Sequence, residues 1–140
     1  MKIRVFEASD YVAARALWER TEGVGLSSAD EREAICTFLA RNPSMSFVAV
    51  DEEIVGTILC GHDGRRGLIH HLVTSPTHRR RGIGTALLQR SLGTLHREGI
   101  GKCHLLVFRS NEAGLAFWRK IGAEERESLA LFSIATGNDG

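Results

Sequence analysis

The stretch Pro76-Thr77-His78-Arg79-Arg80-Arg81-Gly82-Ile83-Gly84-Thr85-Ala86-Leu87-Leu88 lies just past the middle of a 140-residue chain, and the rest is read outward from it. The segment Leu68 to Thr74 before it reads as a buried strand. Ile83, Leu87, Leu88 and Leu92 fall on one face of the helix that follows. A strand, a basic turn with two glycines and a helix therefore stand in a row. Glycine lets the backbone pass close to a ligand, because no Cβ intervenes. The first amides of a helix have no intrahelical acceptor, and the helix dipole adds partial positive charge at that end. Arg79, Arg80 and Arg81 supply charge and forked donors. The segment is predicted to cradle a phosphate, with these arginines, Gly82, Ile83, Gly84 and Thr85 as its lining.

Two familiar phosphate loops do not fit. A Walker-type loop needs Gly, four residues, then Gly-Lys-Ser/Thr, and no such run occurs. A dinucleotide fingerprint needs a third glycine, where this chain has Leu87, and it opens an early strand-helix unit. The run Arg79 to Gly84 instead resembles the Gln/Arg-x-x-Gly-x-Gly/Ala signature of the GNAT family of N-acetyltransferases. The strand end Leu72-Val73-Thr74-Ser75-Pro76 resembles the segment that precedes the signature in that family. Downstream, Asn111, Trp118 and Gly122 occupy the places where the family often has Asn, Tyr and Gly.

The resemblance implies a mixed, mostly antiparallel α/β sheet with a splayed parallel strand pair and helices on both faces. It implies acetyl-CoA as cosubstrate, its pyrophosphate on the cradle and its pantetheine arm along the main chain of Leu72, Val73 and Thr74. Asn111 is implied as a further contact to CoA, beside its role as a helix N-cap. The acceptor implied is an amine: a small molecule, amino acid or antibiotic, a protein N-terminus or a lysine. The family's usual acid is a tyrosine that protonates the departing sulfur. Here Trp118 stands in that place, and an indole N–H can donate a hydrogen bond but releases no proton at useful pH. Tyr11, the only tyrosine, lies in the first helix, away from the expected site.

For the base, His70 and His71 are adjacent in the strand before the cradle, and imidazole suits proton abstraction near neutral pH. Strict alternation would point them to opposite faces. Loss of the tyrosine leaves a second reading open, a non-catalytic CoA-binding module.

Composition sets the outer bounds. At 140 residues one domain is expected, spanning 1–140. A net charge of +1 argues against a nucleic-acid binder, which carries a broad basic excess. Cys36, Cys60 and Cys103 are odd in number and widely spaced, which suggests reduced thiols and a cytoplasmic setting. No apolar run approaches the roughly 20 residues of a membrane span, and residues 1 to 8 alternate charged and apolar instead of forming a signal peptide. Cys60, His62, His70 and His71 lie on one expected hairpin, and Cys60, His62 and His70 would share a face if Cys60 paired opposite His70. No compact ligand spacing supports a site there, and no metal is expected. A homodimer is possible.

The expected elements are strands at Lys2–Glu7, Ser46–Val50, Ile54–His62, Leu68–Thr74, Lys102–Phe108 and Leu129–Ile134. Helices are expected from Ser9 or Asp10 to Arg20, with Val12, Ala16 and Leu17 inward, and from a capping box at Ser28–Glu31 to Arg41. Two more are expected over Gly82–Arg97 and Asn111–Ile121, with residues 136–140 as a frayed tail.

Overall fold

The structure is a computed structural model and describes residues 1–137. In chain order the elements are β1 (Lys2–Val5), α1 (Tyr11–Glu19), α2 (Arg32–Arg41), β2 (Phe47–Asp51), β3 (Glu53–His62), β4 (Gly67–Thr74), α3 (Ile83–Arg97), β5 (Cys103–Leu105) and α4 (Glu112–Lys120). The sheet has the order β1-β2-β3-β4-β5 and is antiparallel except for the parallel β4–β5 pair. Two compact units divide at Leu106 and Val107. The first holds the sheet with α1, α2 and α3; the second begins at Val107 and holds α4.

Within the first unit, helices cover both faces of the sheet. Trp18 of α1 reaches Thr57 of β3 on one face, and Phe6, Tyr11, Leu17, Ile35, Leu59 and Val73 share that core. Gly56, one residue earlier, faces α3. A Cβ there would sit 3.1 Å from both Ile83 and Leu87, so glycine permits the close approach of helix to strand. Ile83, Leu87, Leu88 and Leu95 are buried on α3, and Ser91 donates to the main-chain oxygen of Met45 at 2.7 Å.

The inward face of α1 differs from the sequence expectation. Tyr11, Ala14, Leu17 and Trp18 are buried, whereas Val12 is 63% exposed and Ala16 is exposed. Aromatics with a polar end can be buried when that end finds a partner. The indole N–H of Trp18 donates to Thr57 Oγ1 at 2.9 Å, and the Tyr11 hydroxyl donates to the Asp30 main-chain oxygen at 2.7 Å. The capping box is Ser27 with Asp30, around a 3-10 turn at Ser28–Asp30. Glu31 is extended, with ψ 157°, and α2 starts only after it.

Alternation along β4 is interrupted. Thr57 pairs with Val73 and Leu59 with His70, so one residue of β3 opposes two of β4. His71 takes up the extra residue with φ +47°, in the left-handed region. This bulge puts both imidazoles on one face, contrary to the expectation of opposite faces. His70 lies 5.9 Å from the Phe38 ring of α2, and His71 lies 4.6 Å from the Trp18 ring of α1. The register also pairs Cys60 with Ile69. Cys60 therefore points toward Ser91 of α3, away from the histidine face, and burial pushes its thiol up to about 12. Among the described residues no three His, Cys, Asp or Glu side chains gather to hold a metal.

β5 is shorter than Lys102–Phe108, and its pairing with β4 ends at Ile69↔Leu105. β4 continues to Thr74, which splays the parallel pair. In the second unit the expected strand Leu129–Ile134 does not form. Leu129, Leu131, Phe132 and Ile134 are 65 to 93% exposed. Apolar alternation makes a strand only where a neighbouring strand takes up the backbone groups, and this segment has none among the described residues. Thr136 and Gly137 are irregular; the remainder of the expected tail, 138–140, lies outside the described residues.

Candidate functional site

The turn that leads into α3 is tied down at its start. Pro76–His78 forms a 3-10 turn. His78 meets Thr77 Oγ1 through Nδ1 at 2.8 Å and Asp51 of β2 through Nε2 at 2.9 Å. The His78 contact holds the Asp51 carboxyl below its ordinary value, and the charge of Arg81 acts in the same direction. Arg80 has φ +65° and Gly82 φ +75°. A Cβ on Gly82 would meet nothing within 4 Å, so within the protein glycine serves the left-handed turn and not a crowded contact.

Gly82 is the N-cap of α3, and no side chain caps the helix. The first bond that closes the helix runs from Ala86 N to Gly82 O at 3.0 Å. The amides of Ile83, Gly84 and Thr85 precede it and have no intrahelical acceptor. Arg79, Arg80 and Arg81 are all exposed beside them. This end of α3 suits an anion: three free amides, the helix dipole and three exposed arginines lie within a few residues of one another in the chain.

On β4, the Val73 side chain is buried at 4% exposure and packs into the core beneath α1, while Leu72 and Thr74 are half-buried. What these residues offer a ligand is main chain, along the stretch beyond the last pairing with β5. The bulge at His71 is held through both its main chain and its ring. Thr57 Oγ1 donates to the His71 main-chain oxygen at 2.9 Å and itself accepts from the Trp18 indole. His71 Nε2 meets Asp30 Oδ1 at 2.7 Å. Left-handed backbone at a non-glycine residue persists when its surroundings over-determine it, as they do here. Burial, then the neighbouring His71, pushes the His70 imidazole below its ordinary value.

Asp30, Trp18, Thr57 and Tyr11 were not singled out from the sequence as partners of the histidines. Tyr11, read as remote, bonds the main chain of the residue that holds His71. The one local signal is the Tyr11, Ala14, Trp18 spacing, which marks a single helical face.

In the second unit, Asn111 caps α4, its Oδ1 accepting from Gly114 N at 3.0 Å. Trp118 is half-buried and packs edge-on against Phe117, with ring centres 5.1 Å apart. A cavity of about 390 Å³ opens by the end of β3, between Arg41, Asn42, His62, Asp63 and Glu98. No residue of the cradle or of the bulge lines it.

Comparison with known proteins gives the family and the fold. An acetyltransferase of Pectobacterium atrosepticum is 35% identical over 94% of this chain and 93% of its own length. One of Photorhabdus laumondii is 36% identical over 95% and 94%. The fold matches the PaiA N-acetyltransferase of Thermoplasma acidophilum in complex with coenzyme A, with TM-score 0.74, 22% identity and coverage of 86% and 87%. It matches an acetyltransferase of Clostridium acetobutylicum with acetyl-CoA at TM-score 0.74, 18% identity and coverage of 94% and 95%. The model of the acetyltransferase (GNAT) family matches residues 11–123, from the first helix through the cradle to the end of α4, and the chain belongs to that family.

Proposed function

We propose that the chain transfers the acetyl group of acetyl-CoA directly to a primary amine within a ternary complex. The observation that carries this reading is the uncapped start of α3, where the amides of Ile83, Gly84 and Thr85 stand beside Arg79, Arg80 and Arg81. A pyrophosphate matches that array in charge and in acceptor count. The main chain of Leu72, Val73 and Thr74, past the last β4–β5 pair, would take the pantetheine amides as a further strand would. Asn111 and Trp118 are proposed to add contacts to CoA. That related folds were solved with CoA or acetyl-CoA supports the same ligand.

In the reaction the amine nitrogen attacks the thioester carbonyl. A C–N bond forms, the C–S bond breaks, and the sulfur leaves with the bonding pair. An amide near Val73 or Thr74 would donate to the oxygen as negative charge develops there. His71, with His70 beside it, would take the proton that the amine gives up. Thiolate is a tolerable leaving group, so donated hydrogen bonds, the Trp118 indole among them, would suffice where the family commonly has tyrosine. Alignment of the two substrates supplies much of the remaining rate. The chain is proposed to act as one cytoplasmic domain on a small or peptide amine, without nucleic acid or membrane; a homodimer is compatible with this.

The test is thiol release from acetyl-CoA across a polyamine, an aminoglycoside, free amino acids and peptides with a free N-terminus or lysine. Release that depends on an amine and disappears in Gly82→Glu is expected. Tight acetyl-CoA binding without amine-dependent release would favour the non-catalytic module.

A further inference from the structure

We infer that Asp30 is a positioning residue for His71, fixing the imidazole tautomer so that Nδ1 is the atom that accepts the proton. This rests on the proposed role of His71 as base. Asp30 Oδ1 lies 2.7 Å from His71 Nε2, and both side chains are largely buried, at 10% and 14% exposure. Asp30 Oδ2 accepts from the Ser27 amide at 2.9 Å. An ionised carboxylate only accepts, so the hydrogen of a neutral His71 ring resides on Nε2 and the lone pair on Nδ1.

Nδ1 has no hydrogen-bond partner among the described residues. No buried side-chain nitrogen or oxygen among them lacks one, so Nδ1 reaches the accessible surface. The ring cannot easily turn away. Trp18 packs on it at 4.6 Å, and the Trp18–Thr57 relay holds the His71 main chain. Tyr11 and Arg15 donate to the main-chain oxygen of Asp30, at 2.7 and 3.1 Å, and leave its carboxylate to Ser27 and His71. In the transfer, the proton of the attacking amine passes to Nδ1 as the C–N bond forms and the C–S bond breaks.

Asp30→Asn makes this testable. The Ser27 amide still needs an acceptor, so the Asn oxygen stays on that side and the NH2 group faces Nε2. Nε2 must then accept, the ring hydrogen moves to Nδ1, and Nδ1 no longer has a lone pair with which to take the proton. The same change in a hydrolase triad keeps the geometry and removes activity through the wrong tautomer.

The experiment is nitrogen-15 NMR of the histidine rings, with His71 assigned by its loss in His71→Gln, alongside kinetics on the best amine of the thiol-release panel. The wild type is expected to show the Nε2–H tautomer, and Asp30→Asn the Nδ1–H tautomer. In Asp30→Asn kcat should fall on the order of 100-fold or more, with KM for acetyl-CoA little changed. An Nδ1–H tautomer in the wild type overturns the inference without any variant. So does an Asp30→Asn protein as active as wild type when His71→Gln is inactive, which would leave the base assignment standing. A His71→Gln protein with full kcat removes the base and this inference together.

Discussion

At the scale of single residues, what distinguishes this chain is a left-handed histidine in the middle of a strand, held by partners distant in sequence. Thr57 is fully buried and joins the Trp18 indole to the His71 carbonyl. Thr57→Val keeps the volume but leaves a buried donor and a buried acceptor unpaired, at roughly 1–3 kcal/mol each. The urea midpoint should fall with an unchanged m-value; an unchanged midpoint would mean the relay does not hold the bulge. His70 contributes a pH dependence. Its imidazole is held by burial below the ordinary value of about 6.5. The unfolded chain therefore takes the proton first as pH falls. This contribution is complete above about pH 6.5 and is lost as pH drops through the folded value. His70→Gln should lose less stability than wild type between about pH 7.5 and 5.5 in urea titrations. Equal losses would show that His70 does not titrate differently on folding. None of this was legible in the sequence. Period-two reasoning has no means of seeing a positive φ at histidine, and Asp30 and His71 are 41 residues apart.

At the scale of elements, the cradle was legible because its determinants are local: the glycines, arginines and apolar helix face are contiguous, and α3 begins one residue after its expected start. The β2–β4 meander was legible for the same reason, since short polar turns separate largely apolar runs. α1 was misread because Tyr11 and Trp18 are buried by distant acceptors, and Leu129–Ile134 because a strand needs a partner edge. The parallel β4–β5 pair depends on one close contact. A Cβ on Gly67 would lie 2.8 Å from Leu95 Cδ1 and 2.9 Å from Cys103 Cβ. Gly67→Ala should destabilise by about 1–3 kcal/mol through overpacking, read as a lower urea midpoint. A neutral substitution would mean that β5 shifts to accommodate it.

At the scale of the whole molecule, the family match over residues 11–123 runs through the division at Leu106 and Val107. We propose a single folding domain on that basis. The two tryptophans give one reporter in each unit: Trp118→Phe leaves Trp18, and Trp18→Phe leaves Trp118. Urea transitions by the fluorescence of the two variants should each coincide with far-UV circular dichroism of the same variant. Fluorescence that departs from circular dichroism in either variant would mean the units unfold separately. The central claim is narrower, that the start of α3 binds the pyrophosphate of acetyl-CoA. Calorimetric titration of acetyl-CoA into wild type and into folded Gly82→Glu tests it most directly. The account predicts a Kd on the order of micromolar for wild type and loss of measurable heat in the variant, whose added carboxylate faces the same amides. An absence of binding by wild type, or equal binding by both proteins, would contradict it.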